Sequence, residues 1–250
     1  MTQPAIIILI GGGHASGKKT TAKLLLKEIY SSIPKEKLSV ELIDLNSYTS
    51  DAASVDLSKY SSSTSSAIVV NKDKHYPALK PSRFNFDQVK SDLKAKLSTP
   101  NDQPQKVFLV HGLYALYDKE MRDMAQLKVF IDSDADSRLI RWIRRDVLKE
   151  GDDALSLECI INTYLQGARS EMSDYIFPTK EFADVIMPRG AEANSVSLIF
   201  DGIVPYLSDR NISQPERRYL LHVSGNYLRP ESDFFKEKFD AQKNKFYELN

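Results

Sequence analysis

Residues 5–10, "AIIILI", form an unbroken apolar run that ends in three glycines. A β-branched run without polar alternation predicts a strand buried on both faces, as in a parallel sheet. Beyond the glycines, Ala22, Leu25, Leu26 and Ile29 recur at the spacing of one helical face, which closes at "SSIP". "LSVELID" (38–44), "KVFLVHG" (106–112) and "LKVFID" (127–132) read as three more strands, and "ADVIMPRG" (183–190) as a fifth with its exit loop. Helices fall between them. One follows "FNFD" (84–87), with Val89, Leu93 and Leu97 four apart, and a short piece surrounds "DKEMRDM". A basic helix covers 133–151 after cap-type residues, another runs through "LECIINTYLQGARSEM", and "EANSVSLIFDGIVPYL" makes an amphipathic closing helix.

Strands alternating with helices predict an α/β fold. The expected core is a doubly wound, mainly parallel five-stranded sheet with ligands at the strand carboxyl ends. Residues 1–208 make this domain, interrupted at about 49–83 by a long polar insertion centred on "SSSTSS". That insertion is expected to be a mobile loop or partly disordered. Residues 209–250 form a partly helical extension, where Phe235, Phe239, Phe246 and Leu249 mark a sparse apolar stripe on a charged background.

Charge then removes some classes of function. Lys+Arg and Asp+Glu are 34 each, so no global field draws the chain to nucleic acid or to a membrane surface. Cys159 is the single cysteine, which excludes an internal disulfide and suits a reducing compartment. The longest apolar run is too short to cross a bilayer and lacks the flanks of a secretory signal. The expectation is a soluble protein of the cytoplasm, the nucleus or both, not secreted, with no membrane association and no specific nucleic-acid binding.

The chemistry sits in "GGHASGKKT" (12–20). Gly12, Gly17 and Lys18 fit the phosphate-loop pattern G-x-x-x-x-G-K-[ST], between a strand and a helix as that pattern requires. The backbone N–H groups of Gly13, His14, Ala15 and Ser16 would cradle phosphates at the helix N-terminus, with Lys18 adding a point charge. The expected ligand is ATP. The hydroxyl that normally holds Mg²⁺ is replaced by Lys19. Thr20 comes one residue late, about 100° further round the helix. Three readings stay open: Thr20 takes the metal after a shift of the first turn, the Lys19 ammonium replaces part of the metal's charge, or Lys19 points to solvent.

The sequence resembles the uridine–cytidine kinases, within the phosphoribulokinase/uridine kinase group. "GGHASGKKT" is similar to that family's loop "GGTASGKSS", "FNFD" matches, and "FPTKEFADVIMPRG" (177–190) is close to "LPTKKYADVIIPRG". The resemblance also takes in "LKVFIDSDADSRLIRWIRRD" and covers residues 5 to about 207. It implies transfer of the ATP γ-phosphate to the 5′-hydroxyl of uridine or cytidine.

Carried across position by position, the resemblance makes Lys18 the phosphate lysine, Arg141 and Arg145 phosphate-binding, and Tyr48, Asp87 and Arg169 substrate-side residues. In "DLNSY", where the family has "DSFY", the base position falls on Leu45 or Asn46 according to where a gap is placed, and Asp44, one residue further back, serves as base only if shifted. Asp87 also reads as a helix N-cap. Elsewhere the pattern departs from the family. His111 stands at the acidic position ending the third strand, Trp142 replaces the second arginine of a pair, and Glu150-Gly151-Asp152 replaces "RGR". The hairpin that grips the pyrimidine has no counterpart between Asp87 and Lys106.

Two further functions therefore stand beside pyrimidine salvage. One is a nucleotide-binding pseudokinase that acts through a protein partner, docked by 49–83 or 209–250, with self-association as a further option. The other is a kinase for a different small acceptor, held near His75 and Tyr76.

Overall fold

The computed structural model of the chain describes residues 5–49, 80–97, 105–148 and 155–207. The stripe after 208, most of the insertion with His75 and Tyr76, and Glu150-Gly151-Asp152 lie outside the described residues.

Five strands form one sheet in the order β2-β3-β1-β4-β5, and every pairing is parallel. They are β1 (Ile6–Gly12), β2 (Leu38–Asp44), β3 (Gln105–His111), β4 (Leu127–Ile131) and β5 (Val185–Met187). The strand β1 is buried along its whole length, with ladders to β3 and β4 on its two sides. Its pairing with β4 carries the strand past the apolar run into Gly11 and Gly12. The edge strand β2 is buried only at Leu38 and Ile43, its other positions being exposed or half-buried.

Alternate β1 residues serve opposite faces. Ile7 and Leu9 join Phe108, Val110 and Phe130 in a core. Over that core lie α2 (Phe86–Leu97) and α3 (Lys119–Met124), contributing Val89, Leu93 and Met121. Ile6, Ile8 and Ile10 face the other way, where α1 (Lys18–Ser32) packs against α7 (Ala193–Ile203).

Three expected elements come out shorter or differently wound. The basic helix α4 spans Ala135–Asp146 rather than 133–151. Ile143 and Val147 still pack beside Trp142, whereas Leu148 is 69% exposed, so no apolar face carries the helix further. Its N-cap Asp134 makes no side-chain capping bond. The next helix is interrupted: α5 (Leu157–Thr163) passes through a π-turn (Tyr164–Ala168) into α6 (Arg169–Glu171) and a second π-turn (Met172–Ile176). Each π-turn adds a residue to the winding and resets which side chains face inward. β5 has three residues, so most of "ADVIMPRG" is connection.

Register brings the functional ends level. Ile10 and Asp44 both pair with His111, and Gly12 pairs with Ile131. The carboxyl ends of four strands therefore open on one rim beside the start of α1.

Candidate functional site

The glycine loop turns between β1 and α1 through three left-handed residues: Gly12 at φ 140°, Ala15 at φ 52° and Gly17 at φ 107°. A side chain on Gly12 would start 2.5 Å from the Ile131 carbonyl oxygen, so the loop can only lie this close to β4 without one. Gly17 is the N-cap of α1 and offers no side-chain cap, which leaves the first-turn N–H groups open toward an anion.

Lys18 folds back over the loop and donates from Nζ to the Gly13 carbonyl at 2.5 Å. Burial, with Arg145 and Arg138 nearby, brings the Lys18 ammonium down to about 7. Ser16 is fully buried, and its hydroxyl has no partner among the described residues. Lys19 and Thr20 follow on the exposed side of the first helical turn.

Arg141 ties the loop to its surroundings, with Nη1 3.4 Å from the Ser16 carbonyl and Nη2 3.3 Å from the Arg189 carbonyl. Arg145 lies close enough to depress Lys18, yet its guanidinium is held by Asp146 at 2.7 Å through both Nε and Nη2. The two arginines assigned to phosphate thus flank the loop, one braced on backbone and one on a carboxylate.

On the acceptor side, Asp44 ends β2 and caps a 3-10 turn (Leu45–Tyr48) by accepting from Asn46 N at 3.0 Å. Its Oδ1 lies 3.9 Å from His111 Nδ1. Burial pushes the His111 imidazole down; Asp44 opposes this, and the Lys19 and Lys18 ammoniums reinforce it. Asp44, His111, Lys18 and Lys19 therefore share one electrostatic neighbourhood.

Tyr48 joins the start of α2 through its carbonyl, which accepts from Asn85 N at 2.9 Å. Asp87 is not the helix N-cap: Asn85 takes that place, its side chain accepting from Gln88 N at 3.0 Å. Asp87 is exposed and pairs with Lys90 at 2.9 Å. Arg169 lines a cavity of about 400 Å³ with Arg138, Tyr164 and Phe177, beside the start of α4. That cavity adjoins the phosphate loop through Arg138 and Met172, both beside Gly13.

The ring of the loop residue His14 is engaged within the fold. It stacks on Trp142, with centroids 4.8 Å apart and planes 8° from parallel, and its Nε2 lies 2.6 Å from Glu171 Oε2. Glu171 also accepts from Arg83 Nη2 at 3.0 Å and from the Tyr114 hydroxyl at 2.6 Å, both at Oε1. Burial pushes the Glu171 carboxyl up, but these hydrogen bonds and the His14 and Arg83 charges outweigh it and hold it below the ordinary range. Arg83, Tyr114 and Glu171 escaped the sequence reading. The available signal was a carboxylate set into the apolar stripe of Ala168, Met172 and Ile176.

Mg²⁺ fits poorly here. A hard cation takes oxygen donors, while the residues crowding this rim are Lys18, Lys19 and His111, with one carboxylate already capping a turn.

A family model described as "Phosphoribulokinase / Uridine kinase family" matches residues 91–197. A Saccharomyces cerevisiae protein described as "Putative uridine kinase DAS2" is 33% identical over 258 residues, covering 98% of this chain and 96% of the relative. This chain belongs to the phosphoribulokinase/uridine kinase family. A Streptococcus pneumoniae uridine kinase is 30% identical over 206 residues, covering 79% of this chain and 92% of the relative. Among solved structures, an Acinetobacter baumannii shikimate kinase in complex with shikimate overlays with a TM-score of 0.40 at 15% identity, over 81% of this chain and 95% of that one. Membership accounts for the phosphate loop and implies ATP as its ligand. No helix among the described residues is long and apolar enough to cross a membrane.

Proposed function

We propose that this chain is a nucleotide-binding member of the uridine kinase family that does not convert uridine or cytidine to their monophosphates and acts instead through a protein partner. The observation that carries this reading is the Trp142–His14 stack. By resemblance, an arginine at position 142 would reach phosphate and substrate. The indole there is 4% exposed and packs on the loop itself. A guanidinium that clamps charge has become a wall.

The magnitudes point the same way. Loss of one charge-stabilising group costs about 10² to 10³ in rate, and loss of a general base about 10² to 10⁴. Trp142 and Lys19 each replace such a group, and His111 replaces an acidic one. Losses at one site do not simply multiply, but a kinase turning over about 1 to 100 times per second has little left after three of them.

Asp44 favours a second reading, in which the kinase reaction survives. Its carboxylate stands on the rim beside Lys18 and His111, where a base would meet an acceptor hydroxyl.

One experiment separates the two. Uridine or cytidine is incubated with Mg-ATP at high protein concentration, and UMP or CMP is sought by chromatography, with Lys18→Ala as control. No product from folded protein that still binds ATP supports the first reading. Product that vanishes in Lys18→Ala, and falls about 10² to 10⁴-fold in Asp44→Asn, supports the second.

A further inference from the structure

We propose that the phosphate loop binds nucleoside triphosphate without a divalent cation, the Lys19 ammonium supplying the positive charge that Mg²⁺ ordinarily brings to the β- and γ-phosphates. This rests on the reading that the loop binds nucleotide.

In the pattern G-x-x-x-x-G-K-[ST] the last hydroxyl is the protein's ligand to the metal. Lys19 occupies that position, the second residue of α1, immediately after Lys18. It is exposed and takes part in no ion pair among the described residues. The helix that carries Lys19 starts at the rim where β3 ends in His111, and the Lys19 and Lys18 ammoniums both bear electrostatically on that imidazole.

Two features of this rim disfavour a metal and favour an ammonium. A divalent cation at the old ligand position would sit beside a fixed like charge, with no hydroxyl to hold it and His111 in place of a hard oxygen donor. A lysine stem, longer than the serine or threonine it replaces, carries one charge from the same Cα toward the same phosphate oxygens. Lys19 joins Lys18 and Arg141 at the loop, whereas the Arg145 guanidinium is already paired with Asp146. The open N–H groups at the start of α1 add to the loop cations. A metal-free triphosphate keeps its full charge for these groups, whereas a metal-bound one has already lost much of it and gains less here.

The chemistry also distinguishes ligands. A triphosphate reaches Lys19 with its terminal phosphate, so ATP should depend on this side chain more than ADP, and AMP should be indifferent to it.

The test is calorimetric titration of the full-length protein with ATP in excess Mg²⁺ and again in EDTA, followed by the same pair of titrations on Lys19→Ser. The expected result is wild-type binding in EDTA at least as tight as in Mg²⁺. In Lys19→Ser the order should reverse, with EDTA weakening ATP binding by about tenfold or more. Wild-type binding that Mg²⁺ strengthens by about tenfold or more overturns the inference while leaving nucleotide binding intact. Absence of binding in both media overturns nucleotide binding itself, and this inference with it. Because Lys19 is exposed, an unchanged melting temperature in Lys19→Ser shows that the variant compares folded proteins.

Discussion

The imidazole of His14 and the indole of Trp142 lie face to face, 4.8 Å between centroids and 8° from parallel, joining the phosphate loop to α4 across 128 positions of sequence. The indole also packs with Ile160 and Ala168 in a small core of its own. A buried aromatic of this size contributes mainly through area and packing. Trp142→Ala is therefore expected to cost about 3–5 kcal/mol, read as a lower denaturation midpoint in urea. A loss below about 1 kcal/mol would mean that the stack carries little of the fold.

Trp142 is also the single tryptophan of the chain, so its emission reports on the loop. ATP should change the emission of the wild type and leave that of Lys18→Ala unchanged. An identical response in the two would detach the signal from the phosphate site.

Glu171 and His14 give the stability a defined acid limb. The Glu171 carboxyl lies below its ordinary value of 4.5, so its contribution is complete above that pH and is lost as pH falls through the folded value. Burial, helped by Lys18 and Arg83, holds His14 below its ordinary 6.5 against the pull of Glu171. The unfolded imidazole thus takes up its proton first, and stability begins to fall below about 6.5. Both slopes have the same sign. Glu171→Gln should flatten the part below about 4.5 while lowering stability at neutral pH. Unfolding free energies by denaturant titration from pH 7 down to 3 would show it; an unchanged slope would remove Glu171 from the account.

The strands were legible because β1, β3 and β4 are buried on both faces and so carry unbroken apolar runs, with the glycine loop marking where the first one ends. Asp44 was legible as a strand-end carboxylate. The His14–Trp142 contact was not, since nothing local to either residue encodes a partner so far along the chain. Trp142 could be read as a lost arginine but not as a wall. Glu171 stayed hidden for a related reason: its three donors come from the loop, from the turn before α2 and from the segment after β3. Asp87 misled through its type, because Asp and Asn cap equally well and the cap falls on Asn85, two residues earlier.

Gly12→Ala should damage fold and site together. At φ 140° the backbone is strained for any side chain, and the new methyl would sit 2.5 Å from the Ile131 carbonyl oxygen, which a ladder strand cannot move aside. Backbone strain alone costs about 1–3 kcal/mol, and the clash adds to it. The melting temperature should fall and calorimetric ATP binding should disappear. Wild-type affinity in Gly12→Ala would show that the close approach of loop to β4 is dispensable.

Lys18→Met should stabilise the ligand-free protein while abolishing its binding of ATP. Within the fold, burial and the Arg145 and Arg138 charges lower this ammonium from 10.5 to about 7. In the unfolded chain it keeps its ordinary affinity for the proton. Between those two values the unfolded state holds more protons, so wild-type stability declines as pH falls from about 10.5 to about 7 and the penalty is constant below. A methionine fills similar space without the charge. Its advantage should be largest at and below neutral pH, shrink above it, and vanish near pH 10.5. Thermal unfolding of both proteins across that range checks the shape. If Lys18→Met is less stable than the wild type at pH 7, the ammonium is held by more than the Gly13 carbonyl.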